Sequence, residues 1–306
     1  MIGSSLAFFV SSALLSGQDS LSVCHVNNNG TFKDCQYLSD QKIFNPSGLS
    51  FSNNRLFISN YGMPHAMGTS YIQNCSVNLD ESITCQPFFG LAINENITAI
   101  KVMDKKVFFI ESYFYHINGI NYLVACDLPS DNSYLQNCGI PKSLKANLEQ
   151  TSYNVSMDIA VHNSSIFVTD RSAGTFFTCT YPDADNAMTC SEKSATAENK
   201  QTELIDTQND TMCRVLSNKE TNTLQCCNLA KEQCSSISLE GKPMSLSVDE
   251  SHNFVYLSGG VGQNTFSVCH LNQGNEVVNN CTSFTPVYKD PSAMPPSVVN
   301  KIVLTP

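Results

Sequence analysis

Hydrophobic and polar positions alternate in short runs along this chain, and the runs repeat. From Leu21 to Cys35 the stretch LSVCHVNNNGTFKDC reads as an alternating apolar strand, an Asn- and Gly-rich turn, and a second short strand closed by a cysteine. The first half, apolar-x-x-Cys-x-apolar, recurs as IQNCSV at Cys75, LVACDL at Cys126, FFTCTY at Cys179, LQCCNL at Cys227 and FSVCHL at Cys269. A second cysteine follows each copy: Cys35, Cys85, Cys138, Cys190, Cys234 and Cys281. The unit returns roughly every 50 residues, a period that marks a repeat architecture. Two strands joined by a tight turn, with cysteines near facing positions, form a hairpin that a disulfide can staple. The expected staples are Cys24–Cys35, Cys75–Cys85, Cys126–Cys138, Cys179–Cys190, Cys227–Cys234 and Cys269–Cys281.

Between hairpins lies a second repeated pair of strands. PSGLSF followed by NNRLFISN has counterparts in NITAIKV with KKVFFIES, NVSMDIAV with SSIFVTD, and KPMSLSV with HNFVYLSG. Each is a short strand with a small residue early, a polar turn, then a strand rich in apolar, β-branched and aromatic residues. One unit is thus four antiparallel strands, the size of a β-propeller blade. The expected fold is all-β: a six-bladed β-propeller of four-stranded antiparallel blades. Closure is expected by pairing the N-terminal hairpin with C-terminal strands, because PSAM at Pro291 mirrors PSGL at Pro46 and Ile302 stands after Cys281 as Leu56 stands after Cys35. In that scheme the C-terminus supplies the two inner strands of the sixth blade and Leu21 to Cys35 the two outer ones. Closure removes free strand edges.

Blade 4 departs from the pattern, with Cys213 where other blades carry Phe57, Phe109, Phe167 and Tyr256, and with Cys226 beside Cys227. Neighbours in a strand point to opposite faces, so the two adjacent cysteines cannot both serve the hairpin. Cys213–Cys226 is the expected extra bridge. The alternative is a vicinal Cys226–Cys227 bond that leaves Cys213 free.

At these residues VSMDIAVHNSSIFVTD resembles the NHL repeat and PSGLSFSNNRLFISN resembles the bacterial YVTN repeat, while the stapled hairpin is similar to one in exported bacterial propellers. The resemblance implies a propeller, commonly of six or seven blades, in families that mix binding proteins with lactonases and related hydrolases. Such a fold specifies no chemistry by itself.

Composition narrows the setting. Fourteen cysteines in an even, patterned array fit disulfides in an oxidising compartment. Zinc is the competing explanation, but the chain has no CxxC pair and no Cys/His pair at zinc-finger spacing. Residues 5–15, SLAFFVSSALL, have the length of a secretory-signal core, although no Lys or Arg precedes them. Residues 1–20 are therefore expected to be a signal sequence, incomplete in its basic start, and 21–306 a single propeller domain, secreted to an extracellular or periplasmic space. No run is long enough for a transmembrane helix. A net charge of -10 and only 14% charged residues argue against nucleic-acid binding, which needs clustered Lys and Arg.

Candidate chemistry is sparse. Propeller ligands sit at the axis, where the innermost strands carry Gly48, Ala99, Asp158, Ser245 and Ala293, with Glu203 in blade 4. Asp158 and Glu203, with Lys101 and Lys301, are the channel candidates. The two carboxylates suit Ca²⁺ or a cationic ligand. The plainer reading is that they line a wet channel, and no cofactor is required. A second candidate surface is the pair of loops holding Tyr61, Met63 and His65, and Tyr113, Phe114, Tyr115 and His116. Aromatic loops on a rigid scaffold suit contact with a partner. His25 and His270 follow hairpin cysteines, and His162 and His252 lie in turns; no GxSxG elbow or Ser/His/Asp order is read from the sequence. The reading is a monomeric scaffold that binds a protein or glycan, against the alternative of a metal-dependent, lactonase-like hydrolase at the channel.

Overall fold

A computed structural model describes residues 5–305 apart from 12–18, 39–42, 44, 61–69, 79–81, 89–95, 104, 114–119, 130–134, 140–141, 145–156, 172–174, 182–187, 194–200, 219, 260–264, 273–276 and 293–298. The described elements are all strands. In chain order they begin with β1 (Leu6–Ser11), β2 (Ser20–Val26) and β3 (Phe32–Tyr37). Blade 1 is β4 (Pro46–Ser52), β5 (Arg55–Asn60), β6 (Tyr71–Val77) and β7 (Ile83–Phe88). Blade 2 is β8 (Asn96–Met103), β9 (Lys106–Tyr113), β10 (Ile120–Asp127) and β11 (Lys142–Leu144). Blade 3 is β12 (Met157–His162), β13 (Ser165–Asp170), β14 (Thr175–Thr180) and β15 (Thr189–Lys193). Blade 4 is β16 (Gln201–Gln208), β17 (Thr211–Ser217), β18 (Asn222–Asn228) and β19 (Gln233–Leu239). Blade 5 is β20 (Leu246–Asp249), β21 (Phe254–Ser258), β22 (Phe266–Leu271) and β23 (Val278–Phe284), and β24 (Lys301–Leu304) follows. These form six four-stranded antiparallel sheets, the blades of a β-propeller. The chain divides into two compact units of three blades, Phe44–Glu203 and Met1–Ile43 with Leu204–Pro306.

The sixth blade corrects the expected closure. Its strand order is β24-β1-β2-β3, so the C-terminus supplies one strand and the N-terminus three. Leu6–Ser11, expected to be the core of an export signal, is β1: it pairs with His25 to Ser20 on one side and with Leu304 to Lys301 on the other. All six of its residues are buried. The physical reason is that an unbroken apolar run suits a signal core and equally suits a strand covered on both faces, and periodicity does not separate them. LAFFVS occupies the place that RLFISN and FVYLS hold in blades 1 and 5. Of the C-terminal stretch expected to form the first inner strand, Pro291 and Ser292 lie in a turn.

Tight turns explain the Asn-rich sequence. Asn53 and Asn54 have φ of 52° and 57°, the paired left-handed geometry of a type I′ hairpin turn, and Asn163, Asn209 and Asn253 take positive φ at equivalent turns. Asn tolerates this region better than other residues with a Cβ. The residues before Cys35, Cys138 and Cys281 are Asp34, Asn137 and Asn280, also with positive φ. At Asp34 and Asn280 the ladder shifts register, as a bulge requires.

Every cysteine is paired, and the seven bridges are the six hairpin staples named above with Cys213–Cys226. Cys213 faces Cys226 across β17 and β18, while Cys227 faces Cys234 across β18 and β19. Adjacent cysteines thus serve opposite faces of one strand, and the vicinal bond is not formed.

Apolar faces pack blade on blade within each unit. Phe108, Ile110 and Leu123 of blade 2 meet Ile159, Val168 and Phe177 of blade 3. Phe9, Phe32 and Ile302 of blade 6 meet Tyr256, Phe266 and Val268 of blade 5. Polar bonds link successive first strands: the Val102 amide donates to Ser50 Oγ (2.8 Å), the Val248 amide to Asp206 Oδ2 (2.9 Å), and the Ile302 amide to Ser245 Oγ (3.0 Å). Blade 1 approaches blade 2 closely at Gly48, where an added Cβ would lie 2.7 Å from Ser59 Oγ and 3.0 Å from the Ile100 nitrogen.

Candidate functional site

The four channel candidates are placed on four blades, and those on blades 3 and 4 are linked through Thr169. Asp158 lies in β12 opposite Thr169 of β13, and Thr169 donates its hydroxyl to the backbone oxygen of Glu203 at 3.1 Å. Asp158 accepts the Ile159 amide at 3.1 Å. Glu203 is already engaged: its Oε2 accepts from Arg171 Nε at 3.2 Å, with side-chain exposures of 5% for Glu203 and 9% for Arg171. A buried carboxylate bonded to a guanidinium has part of its charge answered within the protein, which leaves less for a cation. Among the described residues no cluster of three or more His, Cys, Asp or Glu side chains could hold a metal ion. Lys101 stands in β8 opposite Phe108, and Lys301 in β24 opposite Val10. Of the loop candidates, Tyr61, Met63, His65, Phe114, Tyr115 and His116 lie outside the described residues; Tyr113 ends β9 by its backbone.

A different place carries more chemistry. A groove of about 1010 Å³ runs beside the β2–β3 turn, within the unit that contains both chain ends. Asn27, Asn28, Asn29, Lys33 and Asp34 line it together with Ser5, His252 and Phe254. The turn is rigidly built. Asn27 donates from Nδ2 to Thr31 Oγ1, Thr31 donates from its amide and its hydroxyl to Asn29 Oδ1, and Gly30 takes φ of 80° against Val268 and Phe254.

Beside the groove, Ser5 meets the Asp249–His252 turn, from which the sequence keeps it far apart. Asp249 ends β20 and is 1% exposed. In the turn that follows, its carboxylate accepts the Ser251 hydroxyl and the His252 amide, and His252 Nδ1 lies 2.8 Å from Oδ2. The far ring nitrogen, Nε2, is 2.9 Å from Ser5 Oγ. An ionised carboxylate accepts only, so the imidazole proton sits on Nδ1 and bare Nε2 accepts from the Ser5 hydroxyl. The spacing of Asp249 and His252 is a local signal of a turn capped by its own carboxylate. Nothing in the sequence ties Ser5 to it, because that contact exists only once Leu6–Ser11 joins the sixth blade.

Burial acts on two buried or half-buried groups, one in each unit. The Tyr256 phenol is pushed above its ordinary value by burial and then by the Asp249 charge, so it stays neutral. In blade 2, burial alone would lower the Lys106 ammonium, but bonds to Asp127 and Tyr181 hold it above its ordinary value.

No protein-family model matches the chain, and no curated protein matches it. Solved structures do. A protein from Lactobacillus plantarum is similar over 99% of each chain, with TM-score 0.56 and 10% identity. The β-propeller domain of the Trilobed protease from Pyrococcus furiosus, which has an open velcro topology, is similar over 95% of this chain and 94% of its own, with TM-score 0.47 and 8% identity. Apo AztD from Citrobacter koseri is similar over 94% of this chain and 83% of its own, with TM-score 0.47 and 10% identity. At such identities the likeness is one of fold. Among the described residues no helix is long and apolar enough to cross a membrane.

Proposed function

We propose that this chain is an exported, disulfide-stapled propeller that acts as a monomeric binding scaffold, and that its contact surface for a glycan is the groove beside the β2–β3 turn. The observation that carries the reading is the groove itself, about 1010 Å³, with three consecutive asparagines, a lysine and an aspartate in its lining. Amides and carboxylates held on a rigid turn are donors and acceptors suited to a hydroxyl-rich ligand. Export is supported by the pairing of every cysteine, which a reducing cytosol does not sustain. The likeness of the cysteine-stapled hairpin to one in exported bacterial propellers points the same way.

The lactonase-like alternative is weakened by the bond between Arg171 and Glu203. Chelator and added Ca²⁺ should leave the melting curve unchanged, since a ligand that binds only the folded state would raise it. The binding reading is tested on an immobilised glycan panel with the native chain, Lys33→Ala and Asp34→Asn, the last keeping a residue tolerant of positive φ. Both variants should melt as the native chain does and bind at least roughly tenfold more weakly, the scale of one lost polar contact. Glycan binding that survives both changes moves the surface elsewhere, and binding to proteins alone overturns the glycan assignment.

A further inference from the structure

The hydrogen-bonded series from Ser5 to His252 to Asp249 goes beyond a binding role. We propose that it is an acyl-transfer site, with Ser5 as nucleophile, His252 as general base and Asp249 as positioning residue, acting on carboxylic esters that enter the groove.

The geometry supplies the parts in working order. Ser5 Oγ and His252 Nε2 are 2.9 Å apart, within reach for proton transfer. His252 Nδ1 and Asp249 Oδ2 are 2.8 Å apart, which fixes the ring tautomer and stabilises the imidazolium that forms during reaction. Asp249 is itself held by the Ser251 hydroxyl and the His252 amide and is almost wholly buried, so the carboxylate has one orientation. His252 is 39% exposed and, with Ser5, lines the groove, so the reacting atoms meet solvent and ligand and are not sealed in the core.

The step balances without any further reactant. Ser5 Oγ bonds to the ester carbonyl carbon while its proton passes to His252 Nε2. Collapse of the tetrahedral intermediate breaks the bond to the leaving alkoxide oxygen, which takes that proton and departs as the alcohol. Water then attacks the acyl-serine, gives its proton to Nε2, and releases the carboxylic acid as Ser5 recovers its hydrogen. The developing oxyanion needs a donor. Lys33 is the ammonium among the described residues that line the groove, and we assign it that role.

A structural clasp is the rival account: the same bonds would tie the β20–β21 turn to the segment before β1. The experiment uses the full, oxidised chain, since Ser5 is needed. A fluorophosphonate probe is followed by peptide mass spectrometry, and p-nitrophenyl acetate and butyrate hydrolysis is measured for the native chain, Ser5→Ala, His252→Gln and Asp249→Asn, each with its melting temperature. The proposal expects a probe adduct on Ser5 and a fall in kcat of at least about 100-fold in the first two variants at unchanged melting temperature. Asp249→Asn should lower kcat with little change in KM, the mark of a group acting through the histidine. An unlabelled Ser5, or hydrolysis equal in Ser5→Ala, overturns the site, and an equal drop in melting temperature in all variants then assigns the network to the clasp. If Asp249→Asn fails to fold, the Ser5 adduct on the native chain still decides. Glycan binding by the groove is scored separately on the native chain and Asp34→Asn, a residue outside the acyl-transfer machinery, so esterase activity without glycan binding sinks the earlier reading and leaves this one standing.

Discussion

Arg171 and Glu203 show how a side chain that looks like a ligand in sequence becomes part of the structure. The two side chains are nearly buried and joined at 3.2 Å. Removing one partner strands the other charge away from water, so Arg171→Ala should destabilise by about 3–5 kcal/mol. Adding Glu203→Gln to it should recover part of the loss, as a double-mutant cycle in denaturant would measure. Asp127 gives the pH dependence. Hydrogen bonds from Lys106, then from Asn137, hold its carboxyl below the usual carboxylate range. A depressed folded value means a contribution fully present above the unfolded value and lost as pH falls through the folded one. The melting-temperature gap between the native chain and Asp127→Asn should therefore close below about pH 4, where the unfolded carboxyl titrates. The effect is small because Asp127 is 35% exposed and solvent screens it.

Strands and hairpins were the most legible level. Alternation, Asn-rich turns and the cysteine spacing located the hairpins, because a period of two and a preference for positive φ are local properties. Blade 4 shows this best: adjacent Cys226 and Cys227 must face opposite ways, and each has its own partner on a different neighbouring strand. Cys213–Cys226 closes a separation of 13 residues and sits in the buried cluster with Val215 and Leu224. Replacing both cysteines with alanine should cost about 2–4 kcal/mol, seen as a lower denaturation midpoint with an equal or slightly steeper slope as the unfolded chain loses a cross-link. The segment 285–290 was not legible. It covers the outer edge of β3, where the Cys35 amide donates to the Val287 carbonyl and the Lys289 amide to the Cys35 carbonyl, both at 2.9 Å. That stretch has no alternation, and its role is to answer an exposed strand edge, a need that arises only after the blade exists.

At the level of the whole molecule, the decisive feature is the joining of the chain ends in blade 6. β1 is the hinge of that blade, since it is the strand paired on one side with β24 and on the other with β2. Deleting residues 1–11 should remove Phe8, Phe9 and Val10 from the core, leave β24 unpaired in its sheet and β2 paired with β3 alone, and abolish the cooperative melt. A shortened chain that melts like the full one would show that Leu6–Ser11 is dispensable to the fold. The same strand positions Ser5 beside His252, so the placement of β1 also governs the acyl-transfer site.

The amino-acid order alone determined the blade: four strands per repeat, the turns between them, and which cysteines meet. All of these follow from side-chain alternation, backbone preference and separations of a few residues. Tertiary structure decided what depends on distant segments meeting. Leu6–Ser11 became a strand because a groove between β24 and β2 gives its apolar side chains burial on both faces. Glu203 was taken up by Arg171 because blade packing leaves both away from water. Ser5 reached His252 across 247 positions of sequence, a separation over which no periodic signal carries, because closure of the sixth blade holds both there.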